Sequence, residues 1–188
     1  MKAKTALIIL HEDFEEVEAI CPIDILDRGG VAVTLASREA TLEVKGRSNV
    51  VIKADVLLDA VKNKTFDALI LPGGPGTPRM VGDSRILEMV KIHHQDGHYI
   101  GAICAAPSVL QAAGIMEGHK YTAHPCTRPV LPNPVPNVNT VVDGQLITSY
   151  GPGGAMYFGI ELLKALMGQD VAQDVATDMG FGRSLVHN

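Results

Sequence analysis

The sequence has no apolar run approaching the ~18 residues that a membrane-spanning helix needs, which argues against a transmembrane protein. It also has no surplus of basic residues. With 16 Lys and Arg against 21 Asp and Glu, the formal net charge is −5. A general nucleic-acid binder draws its affinity from clustered Lys and Arg, so nucleic acid is not an expected partner. Cysteine is scarce: three residues, an odd number without zinc-like spacing, exclude a disulfide scaffold and point to free thiols in a reducing, cytoplasmic setting. The amino-terminal apolar stretch Ala6–Leu10 is too short for a signal peptide and reads as a first strand. No linker, internal repeat or low-complexity segment interrupts the chain, so its 188 residues are expected to form one domain that buries about 70% of the surface of the unfolded chain.

Short apolar runs alternate with helical patterns. Thr5–Leu10, Val31–Ala36, Asp67–Leu71 and Tyr99–Ile103 read as strands, with Val50–Ile52 and a segment near Lys120–Ala123 as weaker ones. Glu15–Arg28 carries Val17, Ile20, Ile23 and Leu26 at helical spacing and stops at Gly29-Gly30; Pro22 removes one hydrogen bond inside it. Asp55–Val61 reads as a short helix, and Asp83–Asp96 as a longer one capped by Asp83. Thr140–Val142 and Leu146–Thr148, joined through Asp143-Gly144, read as a hairpin; helices over Gly154–Met167 and Val171–Met179 follow. Alternation of this kind predicts an α/β protein with an open, mostly parallel sheet covered on both faces, its site outside the carboxyl ends of the strands. The loops after Leu10, Leu71 and Ile103 should converge there, and the Pro-rich stretch Pro125–Pro136 is a candidate wall.

Residues 99–114 carry the strongest chemical signal. The apolar strand Tyr99–Ile103 meets Cys104 with almost no loop, and an Ala-rich helix runs on to Ala113 and stops at Gly114. Ala102 and Ala106 sit two positions either side of the cysteine. Small residues flanking a nucleophile at a strand-to-helix turn are the pattern of a nucleophile elbow, where bulk would clash. The amino terminus of the following helix is expected to favour the thiolate.

Glu18 is a candidate partner: it shares a helix face with Cys21 and Pro22, and a carboxyl group in an apolar site can stay protonated near neutrality. Glu15 and Glu16 read as an acidic first turn that complements the helix dipole. Gly73 and Gly74 offer backbone N–H groups to an oxyanion, with Ala105 as a further donor, or they serve a turn that needs positive φ. His124 reads equally as a proton shuttle beside the thiol or as a surface loop histidine. His93, His94 and His98 have poor ligand spacing and read as cations at a helix carboxyl end, and no metal site is expected. Cys21 and Cys126 read as structural, although Cys126 lies close enough to His124 in sequence to approach Cys104. The glycines Gly73-Gly74-Pro75-Gly76 lack the Lys-Ser/Thr of a P-loop and the spacing of a dinucleotide fingerprint.

Taken together, Phe14-Glu15-Glu16-Val17-Glu18-Ala19, Leu71-Pro72-Gly73-Gly74, Ala102-Ile103-Cys104-Ala105-Ala106-Pro107, His124-Pro125 and Gly151-Pro152-Gly153 occur in an order and spacing that resemble the ThiJ/PfpI superfamily, in the branch of the Parkinson's-disease-associated deglycase. The resemblance spans nearly the whole chain. It implies a flavodoxin-like three-layer sandwich that forms a homodimer, for which the helix Glu15–Arg28 is the candidate surface. It also implies Cys104 as nucleophile, Glu18 as its protonated partner, His124 as the nearby histidine, and Gly74 with Ala105 as backbone donors. Glu15, Gly151 and Pro152 are then expected to line the pocket. The implied activity is conversion of a small carbonyl substrate, a 2-oxoaldehyde such as methylglyoxal or its early adducts, without a cofactor. The alternative is a chaperone-like or oxidative-stress-sensing protein in which Cys104 is oxidised. Protease-like members place His directly after the nucleophile, where this chain has Ala105, and the downstream His-x-Glu pair of the glutaminase branch is missing. Peptidase activity is therefore disfavoured. The stretch Thr127–Asn137, with four prolines, departs from the pattern of close relatives.

Overall fold

Every residue of the strand Ala6–Leu10 is buried, which an antiparallel sheet with one wet face would not require. The computed structural model, which describes residues 3–181, explains why: the strand is interior to a sheet covered on both sides. In chain order the elements begin with β1 (Thr5–Leu10), α1 (Glu16–Arg28), β2 (Ala32–Ser37), β3 (Glu43–Lys45), β4 (Val51–Lys53) and β5 (Val56–Leu57). They continue with β6 (Ala68–Leu71), α2 (Thr77–Val81), α3 (Ser84–Gln95), β7 (Tyr99–Ile103) and α4 (Pro107–Ala112). The last are β8 (Thr140–Asp143), β9 (Leu146–Ser149), α5 (Ala155–Met167) and α6 (Gln169–Asp178).

The main sheet has the order β5-β2-β1-β6-β7-β9-β8, parallel except for β8, and β3 and β4 form a separate antiparallel hairpin. Alternation along β1 sends Leu7 and Ile9 to one face and Ala6, Ile8 and Leu10 to the other. The first face packs on Met80 of α2, Ile86 and Val90 of α3, and Val109 and Leu110 of α4. The second packs on Ile25 and Leu26 of α1, Phe158 and Leu162 of α5, and Val175 of α6. Each fully buried Leu, Ile or Phe contributes about 1.5–3 kcal/mol. The chain leaves β1 toward β2 on one side, while β6 lies on the other. That places a topological switch point between β1 and β6, where ligands bind in open sheets. No helix among the described residues is long and apolar enough to cross a membrane.

Several local expectations need correction. The inward face of α1 is Glu18, Ala19, Pro22, Ile25 and Leu26, whereas Val17 and Ile20 are 44% and 46% exposed. This face is set by α5, where a Cβ on Gly159 would lie 2.6 Å from Ile25 Cδ1; the glycine lets the two helices meet over Pro22 and Ile25. Residues 55–61 are not a helix but the edge strand β5 followed by a 3₁₀ turn, Leu58–Ala60, because β2 recruits Val56 and Leu57. Of the hairpin β3–β4, the sequence predicts only the second strand. Residues 120–123 form no strand: β9 is already paired on both edges, and the Thr122 N–H donates to the Thr148 hydroxyl instead.

His93 is not a cation at a helix end. It is fully buried, and burial pushes its pKa down. Nε2 accepts the Phe66 N–H at 3.1 Å and Nδ1 faces the Met89 carbonyl at 2.7 Å, an arrangement that the neutral Nδ1–H tautomer satisfies.

Candidate active site

The end of β7 delivers Cys104 in the left-handed region, with φ +64°, a conformation that stores about 1–3 kcal/mol of strain in a residue other than glycine. Two main-chain bonds hold it there: Cys104 N–H donates to the Ser149 carbonyl at 2.8 Å, and the Cys104 carbonyl accepts His124 N–H at 2.9 Å. Ala102 and Ala106 are fully buried on either side, as the small-residue pattern requires. The turn therefore has the backbone geometry of the elbow that the sequence predicts. The helix after it begins only at Pro107 and is six residues long.

Glu18 reaches the same point from α1. It is completely buried, and its Oε2 accepts the Gly73 N–H at 2.8 Å. Oε1 is buried without a hydrogen-bond partner among the described residues, and the Cys104 thiol is the side chain near enough to act on the carboxyl. Burial pushes the Glu18 carboxyl up to about 7; the thiol and the Gly73 N–H act in the opposite direction. Burial, then the charge and hydrogen bond of Glu18, push the Cys104 thiol up, against the pull of the Ala105 N–H. This corrects the expectation that the helix terminus dominates. Two facing acids in a dry site disfavour the loss of both protons. Transfer of a proton from the thiol to an ionised Glu18 would yield a thiolate opposite a neutral carboxylic acid.

Gly73 is where these elements converge. A Cβ there would lie 2.8 Å from Glu18 Oε2, 2.9 Å from the Ala105 nitrogen and 2.7 Å from the Ile103 carbonyl oxygen. Its N–H is engaged by Glu18, so Gly73 is not a free oxyanion donor, contrary to expectation. Gly74 has φ +114°, and a Cβ there would lie 2.5 Å from the Asp13 carbonyl. Among the described residues neither the Gly74 nor the Ala105 N–H donates to a protein oxygen. Both residues border a cavity of about 480 Å³.

That cavity runs between the loop after β6, α2, α4 and the turn at 125–130, walled by Pro75, Pro78, Val81, Ala112 and Val130. Glu15, Gly151 and Pro152 are not among the residues that line it, and neither are Cys104, Glu18 and His124. Glu15 instead donates its N–H to the Gly73 carbonyl at 3.0 Å and pairs with Arg47 at 3.4 Å. Pro152 is exposed, and Gly151 packs near the His124 ring.

His124 stands beside the elbow through its main chain. Its Nδ1 accepts the Cys126 N–H at 3.3 Å, capping the 3₁₀ turn Pro125–Thr127, and its ring lies 6.0 Å from that of Tyr150. The sequence reading missed His11, a fully buried residue at the end of β1. Its ring nitrogens face the Glu12 carbonyl at 3.0 Å and the Pro72 carbonyl at 3.3 Å, fastening the loop after β1 to the loop after β6. A polar residue directly after an all-apolar strand was the available signal. The groove wall was also missed, although Ala105, Ser108 and Ala112 recur at helical spacing. Among the described residues no cluster of three or more His, Cys, Asp or Glu could hold a metal ion.

Known proteins share the sequence pattern and the fold. The DJ-1/PfpI family pattern matches residues 4–165. The chain is 38% identical over 178 residues to Protein dj-1beta of Drosophila melanogaster, covering 93% of this chain and 95% of the relative. It is 40% identical over 171 residues to the glutathione-independent glyoxalase DJR-1.2 of Caenorhabditis elegans, covering 89% and 91%. The crystal structure of Drosophila melanogaster DJ-1beta superposes with a TM-score of 0.91 at 36% identity, covering 96% of this chain and 99% of that one. With its flavodoxin-like sheet and its elbow cysteine, the chain belongs to the DJ-1/PfpI family.

Proposed function

We propose that the protein is a cofactor-independent glyoxalase of the thiol type, acting on 2-oxoaldehydes such as methylglyoxal and, secondarily, on their early adducts with amines or thiols. One observation carries the reading: a completely buried carboxyl with its pKa near 7 faces the cysteine of the elbow. A group so placed can exchange a proton with both sulfur and substrate at neutral pH. The glyoxalase name of the Caenorhabditis elegans relative supports the same chemistry.

The proposed sequence begins with proton transfer from Cys104 to Glu18. The thiolate attacks the aldehyde carbon, forming a C–S bond, while the Gly74 and Ala105 N–H groups stabilise the oxyanion. Glu18 returns its proton to that oxygen, giving a hemithioacetal, and becomes a carboxylate. It then removes the hydrogen from the former aldehyde carbon and delivers it to the neighbouring carbon, while the hydroxyl proton passes to the neighbouring oxygen, giving a 2-hydroxy thioester. Water cleaves the thioester, releasing the 2-hydroxy acid and restoring the thiol. The net change is addition of one water, with no external oxidant or reductant. His124, held on the Cys104 carbonyl by its N–H, assists proton movement at the mouth.

The reading includes a homodimer docked through α1, supported by the exposed Val17 and Ile20. A second reading, reversible oxidation of Cys104 in stress sensing, draws support from the solved Toxoplasma gondii DJ-1, which is an oxidised form. To separate the two, methylglyoxal loss and lactate formation are measured for wild type, Cys104→Ser and Glu18→Gln. Both variants should lose turnover. Equal rates in all three would overturn the mechanism.

A further inference from the structure

Cys126 has no part in the chemistry above, yet it is exposed at the wall of the cavity that Gly74 and Ala105 also border. Its position follows from the elbow itself. His124 N–H is bonded to the carbonyl of Cys104, which fastens residue 124 to the nucleophile's own peptide. The His124 ring then accepts Cys126 N–H at 3.3 Å, and Thr127 N–H returns to the His124 carbonyl at 3.0 Å. These bonds close a single turn that is fastened to the main chain of Cys104 and carries Cys126. The sulfurs are near enough that charge on Cys126 raises the Cys104 thiol, and charge on Glu18 raises the Cys126 thiol. Cys21 differs: it lies half-buried on α1, and Asp24 is the charged neighbour that raises it.

We propose that Cys126 is a resolving thiol, so that a hydroperoxide converts Cys104 and Cys126 into an intramolecular disulfide. In the first step the Cys104 thiolate attacks one peroxide oxygen. An S–O bond forms, the O–O bond breaks, and the departing oxygen takes the Glu18 proton and leaves as water from hydrogen peroxide, or as an alcohol from an organic hydroperoxide. Cys104 is now a sulfenic acid and Glu18 a carboxylate. In the second step Cys126 gives its proton to that carboxylate and its sulfur attacks the Cys104 sulfur. An S–S bond forms, the S–O bond breaks, and the departing hydroxide takes the proton back from Glu18 and leaves as water. Two electrons have passed from the two thiols to one peroxide. A small dithiol reverses the change by exchange. Without a resolving thiol, a second peroxide carries the sulfenic acid to sulfinic acid, which a dithiol does not reduce. Cys126 thus places the elbow under reversible peroxide control, whether or not 2-oxoaldehydes are its substrates.

The test uses the full, reduced chain treated with one equivalent of hydrogen peroxide, alkylated, and digested without reductant for mass spectrometry. Wild type should give a linked peptide pair containing Cys104 and Cys126, lost on treatment with dithiothreitol. Cys126→Ser, checked for an unchanged circular dichroism spectrum, should instead accumulate Cys104 sulfinic acid, by at least about fivefold over wild type. Cys21→Ser should behave as wild type. Three outcomes overturn the proposal: no linked pair in wild type, a link formed only between chains, or equal sulfinic acid in wild type and Cys126→Ser.

Discussion

The Gly73 N–H donates to Glu18 Oε2 at 2.8 Å, so the carboxyl near Cys104 is fixed by a loop 55 residues away rather than by its own helix. The bond holds one oxygen in place and leaves the other without a partner. It also sets how the pair responds to pH. The Glu18 carboxyl titrates near 7 in the fold and at an ordinary 4.5 when unfolded, because burial disfavours its charged form. Between these values the folded chain binds more protons than the unfolded one. Stability therefore falls as pH rises through this window and levels off above it, by an amount on the order of 1–3 kcal/mol.

Glu18→Gln removes that dependence. The amide oxygen can still accept the Gly73 N–H, so the fold should persist, with its stability changing less between pH 5 and 8 than that of wild type. The thiol should then ionise at lower pH, because the Glu18 charge that raises it is gone. Turnover should nevertheless fall by about 10²–10⁴ with the loss of the proton carrier. Urea denaturation at the two pH values, with the pH profile of Cys104 alkylation, checks both halves. A thiol that titrates higher in the variant would contradict the assignment.

Gly73→Ala tests the convergence of three segments on one atom. The added methyl would meet Glu18 Oε2, the Ala105 nitrogen and the Ile103 carbonyl within 2.9 Å, and two of these three are backbone atoms that have little freedom to move. Overpacking of this kind destabilises by about 1–3 kcal/mol. The same shift would part Glu18 from the thiol, so activity should drop further than stability alone explains. A variant with the wild-type melting temperature and activity would show that the segments can yield.

The elbow was legible because its signal is local. Five apolar residues, two alanines and a stop glycine define it within the stretch 99–114. The inward position of Glu18 was legible for a related reason, since it shares a helix face with Pro22. What could not be read depends on distant partners. Nothing near Gly73 says that its N–H serves Glu18, and nothing near His93 says that the Phe66 N–H will occupy its ring. Val17 and Ile20 misled in the opposite direction: their spacing is helical, but α5 packs against Pro22 and Ile25. The cavity wall is assembled from segments near residues 74–81, 105–112 and 126–130, which only the fold brings together.

The cavity predicts which carbonyl compounds are preferred. With the oxyanion on the Gly74 and Ala105 N–H groups, a substituent on the far side of the substrate enters the groove formed by Pro75, Pro78, Val81 and Val130. A 2-oxoaldehyde with an aromatic substituent should therefore have a lower KM than methylglyoxal. Ala112 is exposed at the groove, so Ala112→Phe fills it without disturbing the core. The variant should raise KM for phenylglyoxal by about tenfold, the effect of losing one apolar contact region, and affect methylglyoxal much less. Steady-state kinetics on the two substrates decides; equal losses on both would place the substituent elsewhere.

The outward face of α1 supplies the last prediction. Val17 and Ile20, one helical turn apart, are each nearly half exposed, with the half-buried Cys21 beside them. Covering such side chains with a second copy would contribute about 1–2 kcal/mol apiece, a large share of the affinity of a modest interface. Wild type should sediment as a dimer at micromolar concentration. Val17→Glu combined with Ile20→Lys should shift it toward monomer while leaving the melting transition cooperative, since neither side chain belongs to the core. A wild-type monomer, or a double variant that still sediments as a dimer, would remove α1 as the docking surface.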